Sequence, residues 1–221
     1  MIEVRPLRAA DLPEADRVFR LAFGTQFGLS DPLAFRGDGE LVRPRWRADP
    51  SAAFAAFRGG ELVGSSLCAR WGSFGIFGPI SVRPDLWDAG IGKALLEPSV
   101  ALFDQWKVRE AGLFTFPDSP RHVGLYQKFG FWPQTLTAVM SKTVAPSRAA
   151  PDEGHTASAA ECAEITGAIH PGLDLVRELR MLQEQKLGRT LFLREGGILQ
   201  AFAVCHYGKG KIGRASCRER V

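Results

Sequence analysis

Between Phe74 and Leu96 an apolar, strand-forming run stops at Arg83-Pro84, and a helical pattern opens soon after with two glycines, Gly90 and Gly92, in its first turn. Proline cannot continue a strand ladder, so the run has to end there. The first turn of a helix carries backbone N–H groups with no intrahelical acceptor, at the positive end of the helix dipole. Glycine lets a ligand approach that backbone closely. Strand, short loop and glycine-bearing helix start together make a cradle suited to a phosphate or diphosphate. Lys93, in the same turn, is a cation at the wrong end of a dipole unless an anion meets it.

Three phosphate-binding patterns compete for this stretch. A P-loop needs Gly, four residues, Gly-Lys and then Ser or Thr; here Trp87 stands at the first glycine and Ala94 follows Lys93. A dinucleotide fingerprint needs a third glycine where the chain has Leu95. The remaining pattern is Arg/Gln-x-x-Gly-x-Gly/Ala, with Gly90 and Gly92 at its glycines and Trp87 in place of Arg or Gln. Downstream, Ser119 to Phe131 contains Tyr126 followed by Gly130-Phe131. In that order and spacing the two segments resemble the GNAT superfamily of acyl-CoA-dependent N-acyltransferases, and the closest likeness is to its bacterial tandem-domain type.

The resemblance implies acetyl-CoA, or a short acyl-CoA, as co-substrate and an amine of a small molecule or peptide as acceptor. It implies that Ile80, Ser81 and Val82 offer backbone groups to the pantetheine arm. It implies that Trp87, Asp88, Ala89, Gly90, Ile91, Gly92 and Lys93 surround the diphosphate. Ser119 stands where relatives often have an Asn that bonds the pantetheine arm. Tyr126 matches the proton donor to the leaving thiolate, although a half-buried core tyrosine would read the same in sequence. The general base stays open: the strand Phe74 to Val82 has no acidic residue, and Asp31, Asp38, Glu40, Asp118 and His122 are candidates. A CoA-binding sensor without turnover is the rival reading.

Along the rest of the chain, Ile2, Val4 and Leu7 start a strand. Asp11 and Glu14 have the spacing of a capping box ahead of a helix striped by Ala15, Val18, Phe19, Ala22 and Phe23. Residues 24–50 read as an irregular, Arg-rich loop. Strands are expected over Ala52 to Arg58 and Glu61 to Arg70, joined by a hairpin turn at Gly59-Gly60. They are expected again over Phe74 to Val82, Gly112 to Phe116 and Thr135 to Val144. Helices follow Asp88, with a kink at Pro98, and span Ser119 to Phe129. The fold class is α/β (α+β), a mixed, mostly antiparallel sheet flanked by helices.

The expected organisation is an acyltransferase domain over 1–144, a Pro-, Ala- and Ser-rich linker over 145–158, and the opening of a second copy of the fold over 159–210. Gly196-Gly197, Leu199, Val204 and Cys205 repeat the pattern of Gly59-Gly60, Leu62, Leu67 and Cys68. Residues 211–221 resemble the translation of a sequencing adapter and read as a non-native tail, which truncates the second copy. That stretch holds four of the 28 basic and one of the 24 acidic residues, so the rest of the chain has a formal charge of +1 rather than +4. The charge therefore gives no support to nucleic-acid binding. The four cysteines lack metal-knuckle or C-x-x-C spacing, and no metal is expected. No apolar run reaches the roughly 18 residues of a membrane span. With no signal-like N-terminus, the expected location is the cytoplasm; a homodimer is compatible with all of this.

Overall fold

The computed structural model describes residues 1–134 and 157–206. Its elements are β1 (Ile2–Pro6), α1 (Leu12–Gln26), α2 (Val42–Ala48), β2 (Ala53–Arg58), β3 (Glu61–Trp71), β4 (Phe74–Val82), α3 (Ile91–Trp106), β5 (Glu110–Gly112) and α4 (Pro120–Gln127). After them come α5 (Ala159–Ile169), α6 (Val176–Glu184), β6 (Gly188–Glu195) and β7 (Ile198–His206). The strand expected over Thr135 to Val144, most of the linker and the tail over 211–221 lie outside the described residues.

Strands β1 to β5 form one sheet in chain order. All pairs are antiparallel except β4–β5, which is parallel, so the sheet is mixed and mostly antiparallel, as expected. Side chains alternate between the faces of a strand, and the two faces bury different helices. Leu62 and Ala55 join Val18 and Phe19 of α1. Val63 and Ala56 join Ile91 and Leu95 of α3. Each fully buried Leu or Phe of this kind is worth about 1.5–3 kcal/mol. Helix α3 runs through Pro98 to Trp106.

The feature that matters for function is where the sheet stops pairing. β5 meets β4 only at Phe74, Gly75 and Ile76. The strand expected over Gly112 to Phe116 therefore ends at its first residue. Two local causes act on β4. The β3–β4 register shifts between Ser66 and Cys68, and such a bulge bends the strand. Pro79 has no N–H to give a neighbour. Beyond Ile76 the two strands part and leave a wedge.

Other expectations are corrected by specific contacts. The Asp11/Glu14 capping box does not form. The Asp11 carboxylate takes both arms of the Arg5 guanidinium, at 2.8 and 3.0 Å, and accepts the Arg8 N–H at 2.8 Å. Glu14 pairs instead with Arg17. A two-pronged charged pair is a stronger competitor than one backbone amide. The stretch 24–50 is not uniformly irregular, because α2 buries Val42 and Pro44. Nor is its Arg45 left in solvent: it forms an ion pair with Glu178 of α6.

Glu178 also accepts the Trp71 indole N–H at 2.7 Å. Gln185 donates to the Pro44 carbonyl at 3.0 Å, and the Ser73 N–H to the Gly172 carbonyl at 2.8 Å. These contacts tie the later region to the first sheet. The β6–β7 hairpin itself repeats β2–β3. Both turns place two glycines at positive φ, 60° and 85° for Gly59-Gly60 and 56° and 82° for Gly196-Gly197, the conformation of a tight I′ hairpin. Both ladders shift register two pairs before the turn, at Ala56/Phe57 and at Leu193/Arg194.

Glu178→Ala removes the shared acceptor of Arg45 and Trp71. It is expected to lower the unfolding free energy by about 2 kcal/mol, measured by urea denaturation followed through tryptophan fluorescence. An unchanged midpoint would show that the contact contributes nothing.

Candidate active site

The open edge of β4 follows from its pairing. The Arg83 N–H donates to the Val63 carbonyl at 2.9 Å. Bonded positions alternate along an antiparallel ladder, so Ser81 also turns its backbone toward β3. Ile80 and Val82 then turn theirs to the side that β5 has left. The Val82 carbonyl accepts the Trp87 indole N–H at 2.8 Å. Trp87 thus fixes the end of β4 against the loop that leads to α3. Its ring carries the Arg121 guanidinium at 5.0 Å, and Arg121 pairs with Asp88 at 3.4 Å. Loop and α4 are held together across the wedge.

At the start of α3, Gly90 is the N-cap, with φ of 80° and no side-chain cap hydrogen bond. An L-residue there would be strained by about 1–2 kcal/mol. The Ala94 N–H is the one that reaches back to the Gly90 carbonyl, at 3.1 Å. The amides of Ile91, Gly92 and Lys93 precede it and have no intrahelical acceptor. Gly92 is packed more closely: a Cβ there would lie 3.2 Å from Leu125 Cδ2. The Lys93 ammonium makes only a loose 3.9 Å approach to Glu97, which is worth little on an exposed surface.

Helix α4 forms the opposite wall. Tyr126 is 6% exposed, with its ring 5.6 Å from Phe77. Burial pushes its phenol up to about 12, against a hydrogen bond with Thr115 that lowers it. It is therefore protonated at neutral pH. One turn earlier, His122 stacks on it at 6.4 Å with 20° between planes. Burial, and then the Arg121 charge, hold the imidazole below its ordinary value. His122 Nδ1 lies 2.7 Å from Ser119 Oγ.

These groups converge on one cavity of about 480 Å³. Of the residues expected from sequence, Ile80, Ser81, Val82, Trp87, Asp88, Gly90, Ile91, Gly92, Lys93 and Tyr126 line it. Ala89 and Ser119 do not; the Ser119 hydroxyl is engaged by His122. Among the proposed bases only His122 reaches the cavity, and Asp31, Asp38, Glu40 and Asp118 are elsewhere. The far wall was not foreseen. It is Ala22, Phe23 and Gln26 of α1. The stripe of Ala22 and Phe23 carries no signal beyond that of an ordinary core face, and Gln26 falls in the stretch read as a loop, which α1 enters by one turn. Among the described residues no helix is long and apolar enough to cross a membrane. No group of three or more His, Cys, Asp or Glu there could hold a metal ion.

The sequence profile of the Acetyltransferase (GNAT) family matches residues 17–131, which take in the last ten residues of α1, the open edge of β4, the α3 start and α4. The chain belongs to the GNAT family. It is an acyltransferase with the GNAT fold. Among solved structures, the PaiA N-acetyltransferase from Thermoplasma acidophilum, in complex with coenzyme A, is similar at 19% identity with a TM-score of 0.53. The likeness covers 62% of this chain and 93% of that one. A candidate acetyltransferase from Pyrococcus horikoshii is similar at 17% identity with a TM-score of 0.63, over 99% of this chain and 72% of that one. No curated protein sequence matches.

The two glycines should respond differently to a methyl group. Gly90→Ala is expected to lower stability by about 1–2 kcal/mol because of its positive φ. Gly92→Ala, in regular helix, gains helix propensity against one tight contact with the end of the Leu125 side chain, so it should cost less than Gly90→Ala. Urea denaturation of both variants checks this, and equal losses would contradict it.

Proposed function

We propose that the protein transfers an acetyl or short acyl group from acyl-CoA to a primary amine of a small molecule or peptide, by direct attack of the amine. The observation that carries this reading is convergence: the open edge of β4, the uncapped start of α3 and the protonated Tyr126 all face one cavity. The residues fit the co-substrate. The Ile91, Gly92 and Lys93 amides suit a diphosphate, with the Lys93 ammonium beside them. The Ile80 backbone and the Val82 N–H remain to pair with a pantetheine arm laid along β4 as a further strand. An N–H in that position stabilises the thioester oxygen as it gains charge. The acceptor amine comes in against α1, past Phe23 and Gln26.

Tyr126 supplies the proton that the leaving sulfur needs. Its raised pKa fits that role and would not fit a base. We read residues 159–210 as the opening of a second GNAT-like unit. The repeated hairpin geometry supports this, as does the likeness that runs through 99% of the chain. Among the described residues the cavity draws nothing from beyond Lys128, so this region acts as a scaffold.

The test is thiol release from acetyl-CoA with a panel of primary amines, including polyamines and amino-acid amides. Amine-dependent release is expected. Binding of acetyl-CoA without release would make the protein a sensor. Tyr126→Phe should lower kcat about 10²-fold with KM for acetyl-CoA unchanged, and an unchanged kcat would remove the donor role. Because the phenol ionises only near 12, wild-type rates should show no loss from its deprotonation through pH 10.

A further inference from the structure

The acid in the site has no partner base on β4, whose residues from Phe74 to Val82 include no carboxylate. The charged and titratable groups around the cavity are few. Asp88 and Lys93 stand at the α3 end, and Arg121, His122, Tyr126 and Lys128 come from α4. The α1 wall, Ala22, Phe23 and Gln26, has no ionisable group. Asp88 is committed to Arg121 and is largely exposed. Lys93, Arg121 and Lys128 are cations. One group is left that can take up a proton near neutral pH, and it lies one helical turn from the acid.

We infer that His122 is the general base of the reaction and that Ser119 is a positioning residue that sets its tautomer. This rests on the acyl-transfer reading above. The Ser119 hydroxyl is the key to it. Ser119 is the N-cap of α4, yet it makes no side-chain cap hydrogen bond. Its oxygen is therefore left to accept, and it lies 2.7 Å from His122 Nδ1. With Nδ1–H donating to Ser119 Oγ, the lone pair of the ring is on Nε2. Stacking on Tyr126 and the tilted contact with Phe116 at 6.0 Å fix the ring plane. Burial beside Arg121 keeps the imidazole neutral.

The protons then balance. The amine nitrogen forms the new C–N bond, and its proton passes to His122 Nε2. The C–S bond breaks, and the thiolate takes the Tyr126 proton. His122 returns its proton to the Tyr126 phenolate through solvent, so both residues end as they began.

The experiment is ¹⁵N NMR of histidine-labelled protein with acetyl-CoA bound, from pH 5 to 9, with His122→Gln to assign the signal. The Nδ1–H tautomer is expected, titrating below the ordinary value of about 6.5. Ser119→Ala should mix the tautomers. It should also lower kcat about tenfold and move the acid limb of the pH profile, with KM for acetyl-CoA unchanged. With an amine that turns over, His122→Gln should lower kcat/KM about 10²-fold and abolish that limb, leaving the limb due to the amine itself. An Nε2–H tautomer, or a limb that survives His122→Gln, overturns the inference. Failure of acetyl-CoA to shift any resonance would instead remove the acyl-transfer reading.

Discussion

Everything in the site depends on backbone amides that the fold declines to pair. A protein interior normally satisfies its N–H and C=O groups, yet β4 loses its neighbour after Ile76 and α3 starts without a side-chain cap. The two unpaired stretches lie at either end of one loop, so a single extended molecule can satisfy both. The bulge in β4 and its Pro79 open the first, and the positive φ of Gly90 sets the second. The helix packing that buries Ile91 and Leu95 on the sheet keeps the two in register.

The loop between these stretches shows how a departure from the family pattern is absorbed. Trp87 stands where relatives carry Arg or Gln. Its indole N–H restrains the Val82 carbonyl, and its ring receives Arg121 from α4. A positive charge is thereby returned to the neighbourhood from a different element. On the same helix Ser119, His122 and Tyr126 are spaced three and four residues apart, so they share a face. The phenol and the imidazole are thus set by one short helix rather than by separate loops.

Much of this was legible in the sequence, for physical reasons. Arg83-Pro84 had to end β4. A left-handed N-cap demands glycine, and paired glycines demand tight hairpins, so Gly59-Gly60 and Gly196-Gly197 could be placed without a structure. What stayed hidden is tertiary. Asp11 looked like a cap until Arg5 took it. The helix at Val42–Ala48 is short, with charges from Arg43, Arg45 and Arg47 that masked its buried Val42. The strand after Gly112 ends because β4 bends away, and no local signal in Leu113 to Phe116 announces that. Phe23 reads as an ordinary core residue and Gln26 as part of a loop until α1 is seen to run to Gln26 and the cavity shows what they face.

The most direct test compares acetyl-CoA with S-acetylpantetheine, which keeps the thioester but lacks the diphosphate, by calorimetry and amide ¹⁵N shifts. If the α3 start holds the diphosphate, acetyl-CoA binds far more tightly and alone moves the Ile91, Gly92 and Lys93 amides. Equal affinities, with those three resonances unmoved, would contradict the account.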